Sequence, residues 1–299
     1  MSIKQKVRDN HLVYKSFKSV KNKILSYTPD DVFMKKQYKK RLGKELDLEN
    51  PSTFNEKIQW LKLNNRKDLY TICADKYAVR SYIEQNISDD ILIKLHGVYD
   101  SAEEIDFDKL PKSFVLKVTH GSGQNILCTN KDELDLNLTT RRLKNFLSDN
   151  LFYNTREWVY KNIPPRIVCE EFLIEDGKPP RDYKFFCFNG KPTIVQVDED
   201  RFAEHRRNMY DLEWNLLDFK FCYSNSSKPI LPPKNLDKMI EYATTLSKGM
   251  PFVRVDFYEV NGKVYFGEMT FYPENGSGKF YPEEYDAKFG ELIKLPDSI

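Results

Sequence analysis

Near the carboxyl end, Phe252-Val253-Arg254-Val255-Asp256-Phe257-Tyr258 runs to Asn261-Gly262 and returns as Val264-Tyr265-Phe266-Gly267-Glu268-Met269-Thr270. Strand alternation puts Arg254, Asp256 and Tyr258 on one face, with Val253, Val255 and Phe257 on the other. Glu268 and Thr270 share a face of the return strand. Asp and Glu converging on one spot suit a hard, oxygen-ligated cation such as Mg²⁺. Arg254 beside them can hold an anionic oxygen in a bidentate fork. A surface salt bridge among Arg254, Asp256 and Glu268 would use the same residues. Register separates the two readings. A strict two-residue Asn-Gly turn pairs Val260 with Lys263 and sets Val255 opposite Glu268, sending Asp256 and Glu268 to opposite faces. A metal site therefore needs an odd-length connection or a bulge, and a three-residue loop with Gly262 left-handed at its end is expected.

Three other stretches carry chemistry. In Phe114-Val115-Leu116-Lys117-Val118-Thr119-His120-Gly121-Ser122-Gly123-Gln124-Asn125, a lysine inside a buried-looking strand needs an anionic partner. The Gly121-Ser122-Gly123 turn after it lets backbone amides approach a phosphate. The lysine precedes the glycines and a strand follows them, so this is not the Walker pattern. A flexible hairpin with a snorkelling lysine fits the same residues. In Ile167-Val168-Cys169-Glu170-Glu171-Phe172-Leu173, two carboxylates interrupt a buried strand, and an adenine amino group and ribose hydroxyls could satisfy them. An edge strand with lysines across it would do so too. Arg181-Asp182-Tyr183-Lys184 opens a hairpin around Asn189-Gly190, with Lys184 turned away from the Phe185 layer toward a phosphate or toward solvent. Asp200-Arg201 to Arg206-Arg207 adds guanidinium groups.

The elements that must position these residues are legible in outline. Thr53-Phe54-Asn55-Glu56 reads as a capping box, followed by Phe54, Ile58 and Leu61 on one helical face. A second helix is expected from about Asp75 to Gln85, and others at Leu138–Leu151 and Leu236–Lys248. From Ile91 on, short strand-like runs come in adjacent pairs joined by short turns, without the strand–helix alternation of a parallel sheet. The expected fold class is mixed α+β with largely antiparallel hairpins.

With 299 residues and 40% hydrophobic content, the chain can bury a sizeable core of two or three lobes. No apolar run approaches the ~18 residues of a spanning helix, and MSIKQKVRDN is not a signal peptide, so the cytoplasm is the expected location. The five cysteines lack CxxC spacing and the four histidines are scattered, so neither a disulfide framework nor zinc is signalled. The net charge of +2 hides a basic start: Lys4, Lys6, Arg8, Lys15, Lys18, Lys21 and Lys23, then Lys35, Lys36, Lys39, Lys40 and Arg41. Such a run can contact an anionic surface, lipid or polyanionic substrate, or can be a solvated helical face.

Taken in order, ADKYAVR, FVLK…HGSG, EEFL, DYKFFCFNGKP and FVRVDFY…GKVYFGEMTFYP resemble the ATP-grasp superfamily, most closely its teichuronopeptide-biosynthesis (TupA-like) branch, over about residues 50–290. The resemblance implies an ATP-grasp fold, two α+β lobes clamping ATP between antiparallel sheets. The corresponding division is a basic helical segment (1–70), a small lobe and lid region (71–175) and a core lobe (176–299). It further implies Lys76 and Lys117 on ATP phosphates, with Lys117 also near adenine, under the Gly121–Ser122–Gly123 loop. Glu170 and the backbone of Glu171, Phe172 and Leu173 would take adenine, Glu175 the ribose, and Lys184 a phosphate. Asp256 and Glu268 would hold Mg²⁺, and Arg254 would stabilise the acyl-phosphate and the tetrahedral intermediate. Well-known amide ligases of the superfamily carry E-x-N where this chain has Glu268-Met269-Thr270, so either Thr270 or Asn275 is left to complete the metal site.

The implied chemistry is ATP- and Mg²⁺-dependent joining of a carboxylate to an amine through an acyl-phosphate. The family context adds a uronic acid of a cell-surface (capsular or teichuronic-type) polysaccharide, carried on a sugar nucleotide or a lipid-linked glycan. No nucleic-acid partner is expected, and the basic amino terminus would touch the inner face of the membrane. A glycosyltransferase, using Asp198-Glu199-Asp200 as a DxD motif, and a kinase-like sugar phosphotransferase are the alternatives.

Overall fold

The structure is a computed structural model that describes residues 10–199, 205–226 and 228–297. Helices α1 (His11–Ser26), α2 (Asp30–Leu42), α3 (Phe54–Asn64), α4 (Asp68–Ala74) and α5 (Val79–Asn86) lead into two sheets. The first contains β1 (Leu95–Tyr99), β2 (Phe114–Val118), β3 (Asn125–Cys128) and β4 (Ile167–Glu171) in the order β1-β4-β2-β3. Between β3 and β4 the chain forms α6 (Leu136–Leu147) and the short α7 (Phe152–Thr155). The second sheet contains β5 (Asp182–Phe188), β6 (Lys191–Glu199), β7 (Arg206–Tyr210), β9 (Phe252–Val260) and β10 (Lys263–Thr270) in the order β10-β9-β5-β6-β7. Strands β8 (Lys220–Phe221) and β11 (Phe280–Tyr281) pair separately, and α8 (Leu236–Ser247) and α9 (Glu284–Leu292) complete the chain. Every pairing is antiparallel, as the paired runs in the sequence require.

The expected capping box is present: Thr53 Oγ1 accepts the Glu56 amide at 3.2 Å, and Glu56 Oε2 accepts the Thr53 amide at 3.0 Å. It aims Phe54 into a nest of Phe186, Phe188, Phe252, Phe280 and Phe289, with ring centroids 5.1–6.3 Å away and mostly edge-on. Helix α3 is thereby seated on the five-stranded sheet. The four-stranded sheet has its own core, Phe114, Leu116, Val118, Ile126, Ile167 and Cys169 closed by Leu143 of α6.

The helix expected from Asp75 starts only at Val79. Asp75 Oδ1 accepts the amides of Tyr77 (2.8 Å) and Ala78 (3.2 Å), making a turn from which Lys76 projects. The expected Leu138–Leu151 helix is α6, started earlier by Asp135, whose Oδ1 caps the Leu138 amide at 2.9 Å.

Candidate active site

The carboxylate hairpin corrects one expectation and explains how the site forms without it. The connection is a two-residue turn: Val260 pairs with Lys263, with Asn261 (φ 52°) and Gly262 (φ 75°) both left-handed. Asn-Gly is the pair that favours this geometry, so the three-residue loop is absent. Register is restored further along. Phe266 faces Phe257, but Glu268 faces Asp256, so Gly267 is an extra residue, a β-bulge. A Cβ at Gly267 would lie 3.0 Å from the Asp256 carbonyl oxygen and 3.2 Å from the Tyr258 ring, which is why glycine stands there. Gly267→Ala is expected to cost about 1–3 kcal/mol through this crowding, a loss that denaturant melts would measure.

Around Asp256, which is buried, charges from three strands meet. Strand β9 lies between β10 and β5, so Lys184 falls opposite Asp256 and Asp182 opposite Tyr258. Lys184 Nζ donates to Asp256 Oδ2 at 2.8 Å and is also ion-paired with Asp182. Arg254 clamps Asp256 through Nε (2.8 Å) and Nη2 (2.7 Å), and its Nη2 reaches Thr270 Oγ1 at 3.0 Å and Glu268 Oε1 at 3.4 Å. Burial works against the Arg254 charge, but Asp256 and Glu268 outweigh it and hold the guanidinium more firmly charged than usual. Burial would raise the Glu268 pKa, but Lys76, Arg254, Lys184 and Lys117 pull it down to about 2. The Glu268 side chain is 39% exposed, so water in the cleft screens part of that pull. Asp182 also lines the cleft. Sequence reasoning gave it no role, although it stands two residues before Lys184 and so on the same face.

The donor set suits magnesium. Asp256 and Glu268 set two carboxylates opposite each other, and Mg²⁺ takes one or two protein carboxylates with phosphates and water; Glu268 faces the cleft, while Asp256 is buried with both oxygens held by Arg254 and Lys184. Among the described residues no group of three or more His, Cys, Asp or Glu is arranged to hold a metal alone. Thr270 Oγ1 accepts from Arg254 and donates to Glu268 at 3.4 Å, so in this structure it braces both. Asn275 lies in a left-handed turn (φ 58°), and its carbonyl and side-chain oxygens are both taken by the buried ammonium of Lys62.

The four-stranded sheet supplies the opposite wall. Lys117 Nζ meets Glu170 Oε2 at 2.8 Å, and Arg80 Nη1 reaches Glu170 Oε1 at 3.5 Å and donates to the Ile93 carbonyl at 3.0 Å. Cations therefore satisfy Glu170 here. They do so in the interior of the sheet, since β4 lies between β1 and β2 and is not an edge strand. Arg80, four residues after Lys76, received no role from the sequence. Lys76 Nζ donates to the Gly121 carbonyl at 2.6 Å, bringing it to the base of the glycine loop. Ser122 and Gly123 form the loop's exposed tip, with Gly123 left-handed (φ 72°). The loop is tethered through Asp149: its carbonyl lies 2.9 Å from His120 Nε2, and its carboxylate accepts Gln124 Nε2 at 2.8 Å. Lys76, Arg80, Lys117, Ser122, Gly123, Glu170, Asp182 and Glu268 all line one cleft between the sheets.

Arg254, Asp256, Lys184 and Thr270 are connected to Glu268 but are not part of that lining, and the other candidates lie away from it. Glu171 is exposed, and its amide donates to the Lys94 carbonyl. Phe172 and Leu173 have already left β4, and Phe172 lines a separate apolar hollow with Leu127 and Ile174. Glu175, expected at the ribose, accepts the Asn261 amide at 3.1 Å, tying the crossover to the β9–β10 turn. In the D-E-D string, buried Asp198 is held by Arg207 Nε at 2.7 Å and by Gln196 Nε2 at 3.0 Å. Asp200 and Arg201 lie outside the described residues.

Among solved structures, the chain resembles D-alanine–D-alanine ligase from Bacillus anthracis in complex with ATP, at 15% identity and a TM-score of 0.43, over 74% of this chain and 65% of that one. It also resembles D-alanine–D-alanine ligase from Helicobacter pylori (12%, 0.46, 83% and 69%) and phosphoribosylamine–glycine ligase from Thermotoga maritima (15%, 0.43, 70% and 51%). The chain thus spans less than two thirds of the Bacillus anthracis and Thermotoga maritima enzymes. No functionally curated protein matches the sequence. The model of the TupA-like ATPgrasp family matches residues 56–294, most of the chain. Membership implies use of ATP, and the paired antiparallel sheets with the cleft between them are the architecture expected of it: the chain belongs to the TupA-like ATP-grasp family.

Proposed function

We propose that this protein is an ATP- and Mg²⁺-dependent carboxylate–amine ligase that works through an acyl-phosphate. The observation that carries the reading is a cleft lined by Lys76 and Lys117 on one side and Glu268 on the other, with Arg254 Nη2 3.4 Å from Glu268 and Lys184 paired with Asp256 beside it. A triphosphate lying between the walls would find cations on both sides. Its outer phosphate would be next to the strand pair that, alone among the described residues, sets Asp and Glu opposite each other beside an arginine.

Asp256 and Glu268 would hold Mg²⁺, which would supply charge neutralisation at the transferring phosphoryl group. The substrate carboxylate oxygen attacks the γ-phosphorus, the bond to the β-phosphate oxygen breaks, and ADP leaves. Arg254 and Lys184 neutralise charge building on the transferred group. The amine lone pair then attacks the acyl carbon, the carbon–oxygen bond to phosphate breaks, and phosphate and the amine proton depart. No protein nucleophile is needed. The substrate class rests on the family alone: a uronic acid of a surface polysaccharide, amidated by a small amine, with the enzyme on the cytoplasmic side.

The test is ATP turnover by the purified protein with Mg²⁺, a panel of uronic acids and small amines, and hydroxylamine as trap. ADP together with a hydroxamate is expected. ADP with a phosphorylated sugar and no hydroxamate would make the protein a kinase. UDP-sugar binding without ATP binding would restore the glycosyltransferase reading.

A further inference from the structure

Helix α1 is mounted inside out. Its inward face is polar and is fastened to the protein by hydrogen bonds. Tyr14 OH donates to both Asp149 carboxylate oxygens (2.9 and 3.0 Å), Lys18 pairs with the same carboxylate at 2.5 Å, and Lys21 reaches Asn154 Oδ1 at 2.7 Å. At its carboxyl end, Arg156 donates to the Leu25 and Thr28 carbonyls at 2.6 and 3.1 Å. No residue of α1 is buried. Its apolar residues point the other way: Leu12, Val13, Phe17, Val20, Ile24 and, just beyond the helix, Tyr27 form one outward stripe, each 47–76% exposed. A helix serving the core would show the reverse arrangement, and a stripe of this kind marks an interaction surface.

The surrounding charge selects the occupant. From His11 to Leu42 the chain has nine Lys or Arg against two Asp, and Lys15, Lys23, Lys35, Lys36 and Lys40 are exposed beside or beyond the stripe. The preceding sequence adds Lys4, Lys6 and Arg8. Two copies of the chain would bring like charge against like across the stripe, whereas an anionic lipid surface complements both the charge and the apolar ridge. Sixteen residues rise only about 24 Å, and no helix among the described residues is long and apolar enough to cross a membrane. The helix can therefore only lie on a bilayer. We propose that α1 docks this protein on an anionic membrane surface, its apolar stripe sunk among the acyl chains and its flanking lysines on the headgroups.

Deleting the first 45 residues would be a poor test. It would remove Met34 and Tyr38 from their cluster with Leu46 and bare the buried Arg156. The stripe residues are exposed, so point variants there leave the buried core intact. The full-length protein is expected to co-sediment with phosphatidylcholine vesicles containing about a third phosphatidylglycerol, and at least about tenfold less with phosphatidylcholine alone. Phe17→Glu/Val20→Glu/Ile24→Glu should lose at least about tenfold of the binding with an unchanged melting temperature, and Lys35→Glu and Lys36→Glu should each weaken it by roughly fivefold. Absence of vesicle binding, or binding that survives the triple substitution, would overturn the proposal. So would a dimer in sedimentation equilibrium that the triple substitution splits, since the stripe would then serve a protein interface.

Discussion

Glu268→Gln is expected to cut ATP turnover by about 10²–10³-fold, the usual cost of removing one group that stabilises transition-state charge, while leaving the fold intact. The side chain is 39% exposed at the cleft, so water screens part of the lost counter-charge and its exchange for an isosteric amide should cost only about 1–2 kcal/mol. Its carboxylate is the counter-charge shared by Lys76, Arg254, Lys184 and Lys117. Without it those cations face the triphosphate with less competition, so nucleotide affinity should hold or rise while turnover collapses. Steady-state ADP release and direct nucleotide titration separate the two effects. Turnover within tenfold of the parent would mean that Glu268 serves neither metal nor phosphoryl group.

The second large effect is on stability. Lys184→Met is expected to destabilise the protein by about 3–5 kcal/mol, the cost of removing one partner from a buried ion pair. The Lys184 side chain is 4% exposed, and its ammonium sits between Asp182 and Asp256, whose side chains are 7% and 1% exposed. Methionine fills the volume but removes the ammonium that pairs with both buried carboxylates. Against the ~5–15 kcal/mol of a typical domain, that is a large fraction. Adding Asp182→Asn removes one of the two carboxylates that Lys184 neutralised and should return about 1–2 kcal/mol, a coupling that urea denaturation of both single variants and the double variant would measure. A loss below about 1 kcal/mol in Lys184→Met would show that the pair is not the support described here.

What the sequence disclosed and what it withheld divide along physical lines. Local periodicity carried the capping box at Thr53, the helix of α8 and the hairpin strands, because each is encoded by neighbours in the chain. Alternation correctly grouped Arg254, Asp256 and Tyr258, but the register of the return strand depends on counting residues, and a bulge breaks the count. The two local signals were Asn261-Gly262, which calls for the two-residue turn, and Gly267 inside a strand, which often marks a bulge. The bulge was one of the two devices the site required, and it stands at the glycine. The meeting of Lys184 and Asp256, 72 residues apart, depends on β9 inserting between β10 and β5, which no local pattern specifies. Phe172 and Glu175 were assigned through the family resemblance and not from any local pattern; in the structure β4 stops at Glu171, and Glu175 accepts the Asn261 amide. The outward stripe of α1 was hidden for another reason. Periodicity reports that a helix has an apolar face, but not which face the protein will bind.

The most direct test of the central claim is to follow oxygen from substrate to phosphate. With a carboxylate that supports ADP release, labelled in both oxygens with ¹⁸O, mass spectrometry of the released inorganic phosphate should find one ¹⁸O atom per phosphate, because an acyl-phosphate leaves with the carboxylate's oxygen. Phosphate that stays unlabelled while the amide still forms would contradict acyl-phosphate chemistry in this site.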